Sequence, residues 1–388
     1  MHKLIRATTV PISLKVLLKG QLSFMNRNGF DVIGVSSGGR DLRDVQVLEK
    51  ISIKEINMTR TISPIADLVS LWKFYRLCKS ENPIIVHSHT PKAGIVCMLG
   101  AKLAGVPIRL HTVAGMPLME ANGIKRKVLD WVEKLTYKSA TKIYPNSVGL
   151  YNFILRYQYT SKEKLKVLGN GSSNGINTSI FSKENVDPSI SAELRSTLGI
   201  EEKDFVFVFI GRLVGDKGIN ELIEAFSTLE RSDVKLLLVG PQEPDLDPLN
   251  ENTQKEIAIN PHIISVGFQK DVRPYFAIAH ALVFPSYREG FPNVVMQAGA
   301  MELPAIVSNI NGCNEIIVEG NNGIIIPVKN ADAIKNAMEI MVTDKAFYSQ
   351  MKANSRNMII QRYEQEIVWD ALLKEYKSLL KDRELDDV

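Results

Sequence analysis

Strand signals and helix signals alternate along the whole chain, and this alternation constrains the fold most. Each short apolar run is followed by a helical stretch able to cover it, which argues for parallel sheets wrapped by helices. Strands are expected at 4–8, 31–36, 84–87, 108–112, 142–144 and 166–168, and then at 205–210, 235–239, 263–266, 281–284, 305–307 and 324–327. The run Gly169-Asn-Gly-Ser-Ser-Asn-Gly175 is dense in turn formers, and Asp187-Pro188 precedes a short helical piece, so a boundary is expected between 170 and 200. With 388 residues, 45% of them hydrophobic, the chain can build two cores of ordinary size. The expected fold class is α/β: two doubly wound parallel-sheet domains, 1–180 and 181–364, with a helix near 365–388 spaced to pack back across the first.

Composition narrows the setting. Cys78, Cys97 and Cys313 are too few and too scattered for a disulfide framework or a four-ligand zinc site, and are read as packing residues in a reducing cytosol. The longest apolar runs fall far short of the roughly 20 residues a bilayer span needs, and the N-terminus lacks a signal-peptide pattern. A cytoplasmic protein, soluble or peripheral on the inner face of the membrane, is expected. Charge is divided unevenly: residues 1–185 carry 27 Lys and Arg against 12 Asp and Glu, and the remainder 20 against 31. The basic half is thus suited to an anionic partner such as nucleic acid, a phospholipid surface or a phosphorylated lipid. Leu14, Leu17, Leu18, Leu22 and Met25 recur at the spacing of one helix, with Lys15 and Lys19 on another face. Together with Lys125, Arg126 and Lys127, these lysines are candidates for a membrane-facing patch.

Two strand-to-helix loops carry the chemistry. Phe284-Pro-Ser-Tyr-Arg-Glu-Gly-Phe-Pro-Asn293 places a carboxylate, Glu289, and a glycine turn, Gly290, immediately after an apolar strand, where open α/β sheets bind ligands. Pro292 and Asn293 suit a helix start, and the helix carries Gln297 on its early turns. Gly211-Arg-Leu-Val-Gly-Asp-Lys-Gly218 likewise joins a strand to a helix. Its glycines, helix N-terminus and two cations, Arg212 and Lys217, are what a diphosphate requires, although its spacing is neither a Walker A loop nor the dinucleotide fingerprint.

These two motifs together resemble the retaining glycosyltransferases of family 4, which have the GT-B fold of two facing Rossmann-like domains. Concordant stretches are His87-Ser-His-Thr-Pro-Lys-Ala-Gly94, Arg109-Leu-His-Thr-Val-Ala-Gly115, Asn170-Gly171 with Asn174-Gly-Ile-Asn177, and Val266-Gly-Phe268. The resemblance implies that Arg212 and Lys217 hold the diphosphate of a nucleotide-activated sugar and that Glu289 binds the transferred sugar's hydroxyls. It implies that Gly290, Phe291, Pro292 and Asn293 cradle phosphate and sugar, that Gly267 and Phe268 lie against the base, and that His111 stands near the reacting centre. The family's second glutamate, which commonly binds the ribose, is here Gln297, an amide that can still accept and donate one hydrogen bond.

The implied reaction moves a hexose or N-acetylhexosamine from a UDP-sugar to a lipid-diphosphate-linked sugar in bacterial surface-polysaccharide assembly. The basic first domain is expected to meet an anionic, membrane-held acceptor. No cofactor beyond the nucleotide-sugar co-substrate is expected. Metal independence is expected too, on a reading that finds no Asp-x-Asp between strands to hold a divalent cation. His87 and His89 are read as structural, on opposite faces of a strand. The alternatives are a nucleotide-sugar 2-epimerase of the same fold and a non-catalytic nucleic-acid binder, the latter without aromatic interleaving or a recognisable module.

Overall fold

The computed structural model describes residues 1–386 other than 60, 62, 120, 244 and 246, and the chain divides into two compact units, 1–174 with 366 onward, and 175–365. The first unit is built on β1 (His2–Ala7), β2 (Phe30–Ser36), β3 (Ser52–Glu55), β4 (Ile85–His89), β5 (Ile108–Val113) and β6 (Lys142–Pro145). Every pairing is parallel, in the order β3-β2-β1-β4-β5-β6. Its helices are α1 (Pro11–Leu17), α2 (Gln21–Arg27), α3 (Arg40–Glu49), α4 (Pro64–Glu81), α5 (Pro91–Ala104), α6 (Gly123–Ser139) and α7 (Val148–Arg156).

Side chains alternate across β1, so Leu4 and Ile5 enter different cores. Leu4 joins Leu14, Leu22 and Val45 from α1–α3, whereas Ile5 joins Phe74, Val96, Tyr137 and Ile154 from α4–α7. The sheet is thereby covered on both faces, as an all-parallel sheet must be. Burying each such Leu or Phe is worth about 1.5–3 kcal/mol over leaving it exposed.

The single helix expected from the leucine spacing is two helices. Gly20 stands between them in the left-handed region (φ 80°), and an added Cβ there would lie 2.6 Å from the Trp369 ring, so the packing that breaks the helix leaves room only for glycine. Strand β3 is short, polar and largely exposed, which hides it from a reading based on apolar runs. Residues 166–168 form no strand; the chain there makes a single bridge, Ile143 to Leu165, and moves on. His87 and His89 share one face, because residues two apart on a strand do, and their rings stack at 4.4 Å.

The second unit comprises α8 (Pro188–Thr197), β7 (Phe205–Ile210), α9 (Ile219–Ser227), β8 (Val234–Val239), α10 (Glu251–Ile259), β9 (Ile263–Ser265), α11 (Arg273–Ile278), β10 (Ala281–Phe284), α12 (Asn293–Ala300), β11 (Ala305–Ser308), α13 (Cys313–Ile316), β12 (Gly323–Ile326), α14 (Ala331–Thr343) and α15 (Lys345–Tyr363). Its strands are again all parallel, ordered β12-β11-β10-β7-β8-β9. The unit begins at 175 rather than 181 because residues just past 174 pair with α15 and the residues after it. Ile176 N donates to Tyr363 O at 2.8 Å, and Arg356 donates to the carbonyls of Thr178 and Phe181 at 3.0 and 2.9 Å.

The last helix, α16 (Gln365–Asp386), returns to the first unit, where Leu372, Tyr376 and Leu380 join the core of α1–α3. Tyr376 Oη lies 2.6 Å from His87 Nδ1, and Trp369 Nε1 donates to Asn174 Oδ1 at 2.7 Å. All three cysteines are buried and unbonded.

Candidate active site

In the second unit the chain leaves β7 toward β8 and leaves β10 toward β11, in opposite directions across the sheet, although β7 and β10 are neighbours. That reversal opens a crevice at their carboxyl ends, the place where doubly wound sheets bind ligands. Both motif loops start there. Gly218, at φ 71°, brings them together: an added Cβ would stand 2.2 Å from Pro285 O, so no other residue lets the loops approach so closely. Tyr287 N donates to Asp216 O at 2.9 Å and completes the junction.

Across the junction Lys217 Nζ meets Glu289 Oε1 at 2.5 Å, both side chains mostly covered. Ser286 Oγ, fully buried, lies 3.0 Å from that carboxylate oxygen and fixes its position. Arg212 Nη1 pairs with Glu243 Oε2 at 2.7 Å, and this bond holds the guanidinium's proton more firmly than usual. Arg288 pairs with Asp216 at 2.8 Å. Three cations thus converge on one crevice, each held by a carboxylate. Asp216, Ser286, Arg288 and Glu243 were not singled out from the sequence; the first three sit inside the quoted motifs, while Glu243 lies on another loop and carries no local signal.

The remaining residues expected to meet the donor line the same strand ends. Gly267 O accepts from Gly240 N at 2.8 Å, and the adjacent Phe268 is 72% exposed, leaving a ring face open for stacking. Pro292 caps α12, whose first residue Asn293 is exposed; Gln297, half-buried, follows four residues later on the same helix face. Gly290 packs its carbonyl beneath Gly312, and Phe291 meets the Tyr363 ring edge-on at 5.4 Å.

An Asp-x-Asp run does occur, at Asp245-Leu-Asp247 in the loop after β8, contrary to the reading above. Asp247 is committed to the backbone: its Oδ2 accepts from Asp216 N at 2.6 Å. Among the described residues no group of three or more His, Cys, Asp or Glu is arranged to hold a metal ion.

His111 belongs to the first unit, on β5. It is buried, its Nδ1 lies 2.9 Å from Ser88 Oγ, and Gly94 makes room for its ring, which an added Cβ would approach to 2.6 Å. Burial pushes its pKa down to about 4, so the imidazole is neutral at physiological pH.

The basic residues proposed as one patch are not one. Lys15 lies in the helix layer on one sheet face, held by Asp41 and Asp44 at 2.8 and 2.7 Å, with Lys19 exposed nearby. Lys125, Arg126 and Lys127 are on α6, in the layer on the other face, with Lys125 and Lys127 exposed and Arg126 paired to Asp130 at 2.9 Å.

Residues 191–358 match the family described as Glycosyl transferases group 1, and residues 23–171 the Glycosyl transferase 4-like domain. Over 387 residues, 99% of this chain and 99% of the relative, the sequence is 32% identical to the capsular polysaccharide biosynthesis glycosyltransferase CapM of Staphylococcus aureus. The chain belongs to this glycosyltransferase family. The glycosyltransferase is also 30% identical, over 79% of its length and 78% of the relative's, to the UDP-Gal:alpha-D-GlcNAc-diphosphoundecaprenol alpha-1,3-galactosyltransferase of Escherichia coli. Its fold is GT-B: Anabaena HepE, solved in complex with UDP, superposes with a TM-score of 0.81 at 17% identity, covering 97% of this chain and all of that one.

Proposed function

We propose that the glycosyltransferase moves a hexose or N-acetylhexosamine from a UDP-sugar to a lipid-diphosphate-linked sugar in bacterial surface-polysaccharide assembly. It works peripherally on the inner face of the cytoplasmic membrane and without a metal. The observation that carries this reading is the junction of Lys217, Ser286 and Glu289 at the crevice, flanked by Arg212, which offers cations to a diphosphate and a carboxylate to the sugar beside it. The galactosyltransferase relative supports the donor and acceptor classes, and the capsule relative the surface-polysaccharide setting. The second unit takes the donor and the first the acceptor.

Breaking the bond from the anomeric carbon to the diphosphate leaves positive charge on the sugar and negative charge on the departing phosphate. Arg212 and Lys217 stabilise that phosphate where its charge develops, and such preset electrostatics outweigh a general acid. Glu289 accepts hydrogen bonds from sugar hydroxyls and faces the ring's growing positive charge. The acceptor hydroxyl attacks on the face the diphosphate leaves; its oxygen bonds to the anomeric carbon and its proton passes to a phosphate oxygen. Neutral His111 is available as a hydrogen-bond partner for sugar. Phe268 stacks the base, and Asn293 and Gln297 meet the ribose and phosphate side.

The test is a panel of UDP- and GDP-sugars with EDTA present, following nucleotide release with and without lipid-linked sugars. Release that needs the lipid-linked sugar and survives EDTA supports the reading. Epimerised donor without an acceptor would favour the epimerase, which the transferase relatives do not, and loss of turnover in EDTA would overturn metal independence.

A further inference from the structure

Two helices of the first unit turn apolar stripes outward. On α4, Ile65, Leu68, Val69 and Trp72 follow the i, i+3, i+4, i+7 spacing of one helix face and are all exposed, Ile65 at 82% and Trp72 at 54%. The opposite face of α4 holds its buried residues, Ser70, Phe74 and Cys78. On α6, Ile124, Val128 and Trp131 repeat the pattern, Ile124 at 80% and Trp131 at 64% exposed, opposite the buried Glu133 and Tyr137. Both helices pack on α5 in the layer covering one sheet face, and both lead into strands that run parallel, so they point the same way. The stripes match in position along the helices: the isoleucine is the second residue of each helix and the tryptophan the ninth.

Charge completes the pattern. The two helices carry eight Lys and Arg against four Asp and Glu. The acids are withdrawn from the surface charge: Asp67 pairs with Lys92, Asp130 with Arg126 and Glu81 with Lys3 and Lys54, while Glu133 is buried. Beyond each tryptophan the exposed positions turn cationic. Arg76 lies 4.9 Å over the Trp72 ring, and Lys134 and Lys138 follow Trp131. On α6 the exposed Lys125 and Lys127 also flank Ile124, so each helix presents an apolar stripe with an interfacial tryptophan and flanking cations, the pattern of a helix lying along an anionic membrane surface.

We propose that the α4–α6 face of the first unit is the glycosyltransferase's docking surface for an anionic phospholipid bilayer, with Trp72 and Trp131 at the headgroup level. The proposal deepens the peripheral-membrane reading, on which it rests, and moves the contact away from α1, whose Lys15 is held by two aspartates on the other sheet face. A second copy of the chain is a poorer occupant, because two such cationic faces repel each other.

The test is flotation of the full-length protein with phosphatidylcholine vesicles with and without phosphatidylglycerol. It compares the wild type, the double variant W72Q/W131Q and, as a control on the opposite sheet face, V16Q/V47Q, each checked by melting curve. Wild type and control should bind the anionic vesicles, and the double variant about tenfold more weakly, with binding weakened by salt. Transfer to a short-chain, water-soluble acceptor should be equal in all three, while transfer to a vesicle-borne acceptor drops only in the double variant. Unaltered vesicle binding by the folded double variant, absence of wild-type binding, or a wild-type dimer that the double variant abolishes would each overturn the proposal. Vesicle binding without transfer to either acceptor would uphold the docking surface and sink the transferase substrate reading instead.

Discussion

Replacing Glu289 by glutamine separates the stability role of its carboxylate from its chemical one. Lys217 Nζ lies 2.5 Å from Glu289 Oε1, with the side chains 14% and 18% exposed. Glutamine keeps the shape and the contact to Ser286 but leaves the ammonium without its countercharge. Removing one partner of a fully buried pair costs about 3–5 kcal/mol, and the remaining exposure reduces this to about 2 kcal/mol here. At 2–4 °C per kcal/mol the melting temperature should fall by about 4–8 °C. UDP brings negative charge back to Lys217, so its affinity should hold or rise, and saturating UDP should recover part of the lost melting temperature. Transfer should nevertheless fall by about 100-fold, because the charge facing the sugar at the transition state is gone. Calorimetry with UDP, melting curves with and without UDP, and a nucleotide-release assay with acceptor read the three quantities. A variant that turns over normally, or one that loses UDP affinity in step with turnover, refutes the assignment of Lys217 to phosphate and Glu289 to sugar.

The partner substitution should behave differently: Lys217→Ala should weaken UDP binding at least tenfold by calorimetry and lower turnover with it, through loss of a charge-assisted contact worth about 1.5–3 kcal/mol. Gly218→Ala forces a Cβ against Pro285 O in a left-handed backbone and should cost about 2–4 kcal/mol in a denaturant melt while abolishing UDP binding, since the two loops can no longer meet. Acid should destabilise the protein through its buried histidines and the half-buried His280. Burial lowers His111 and His280 to about 4 and His87 and His89 well below their ordinary value, so each contributes stability present above pH 6.5 and lost as pH falls toward 4, at up to about 1.4 kcal/mol per pH unit and group. Glu133, raised to about 7 by burial, works in the opposite sense, its contribution full below pH 4.5 and lost as pH rises to 7, and offsets one histidine over that window. A melting temperature that stays flat from pH 7 to pH 4 would contradict this balance.

The legible parts of the fold are those written in local periodicity. Residues 205–210 and 281–284 read as strands because continuous apolar runs of that length suit a sheet covered on both faces, and the structure has strands with those bounds. Ser52–Glu55 escaped because an edge strand is paired through its backbone and needs no apolar side chains. The break at Gly20 escaped because its cause, the Trp369 ring, lies far along the chain. In the candidate site, Arg212, Lys217 and Glu289 stood out because glycines and a helix start flank them. Glu243, which holds Arg212, did not, because a lone glutamate in a loop has no pattern around it.

The sequence by itself determined the α/β alternation, the two glycine-bearing loops at strand ends and the residue types that a diphosphate and a sugar would need. The tertiary structure alone decided that Lys217 and Glu289, 72 residues apart, share one crevice, that α1 and α6 cover opposite faces of their sheet, and that α16 closes the first core. Periodicity reports which side of an element is buried. It does not report which element lies against that side, because parallel strands pair across long crossovers, and the order in which they pair is set by the packing of whole layers.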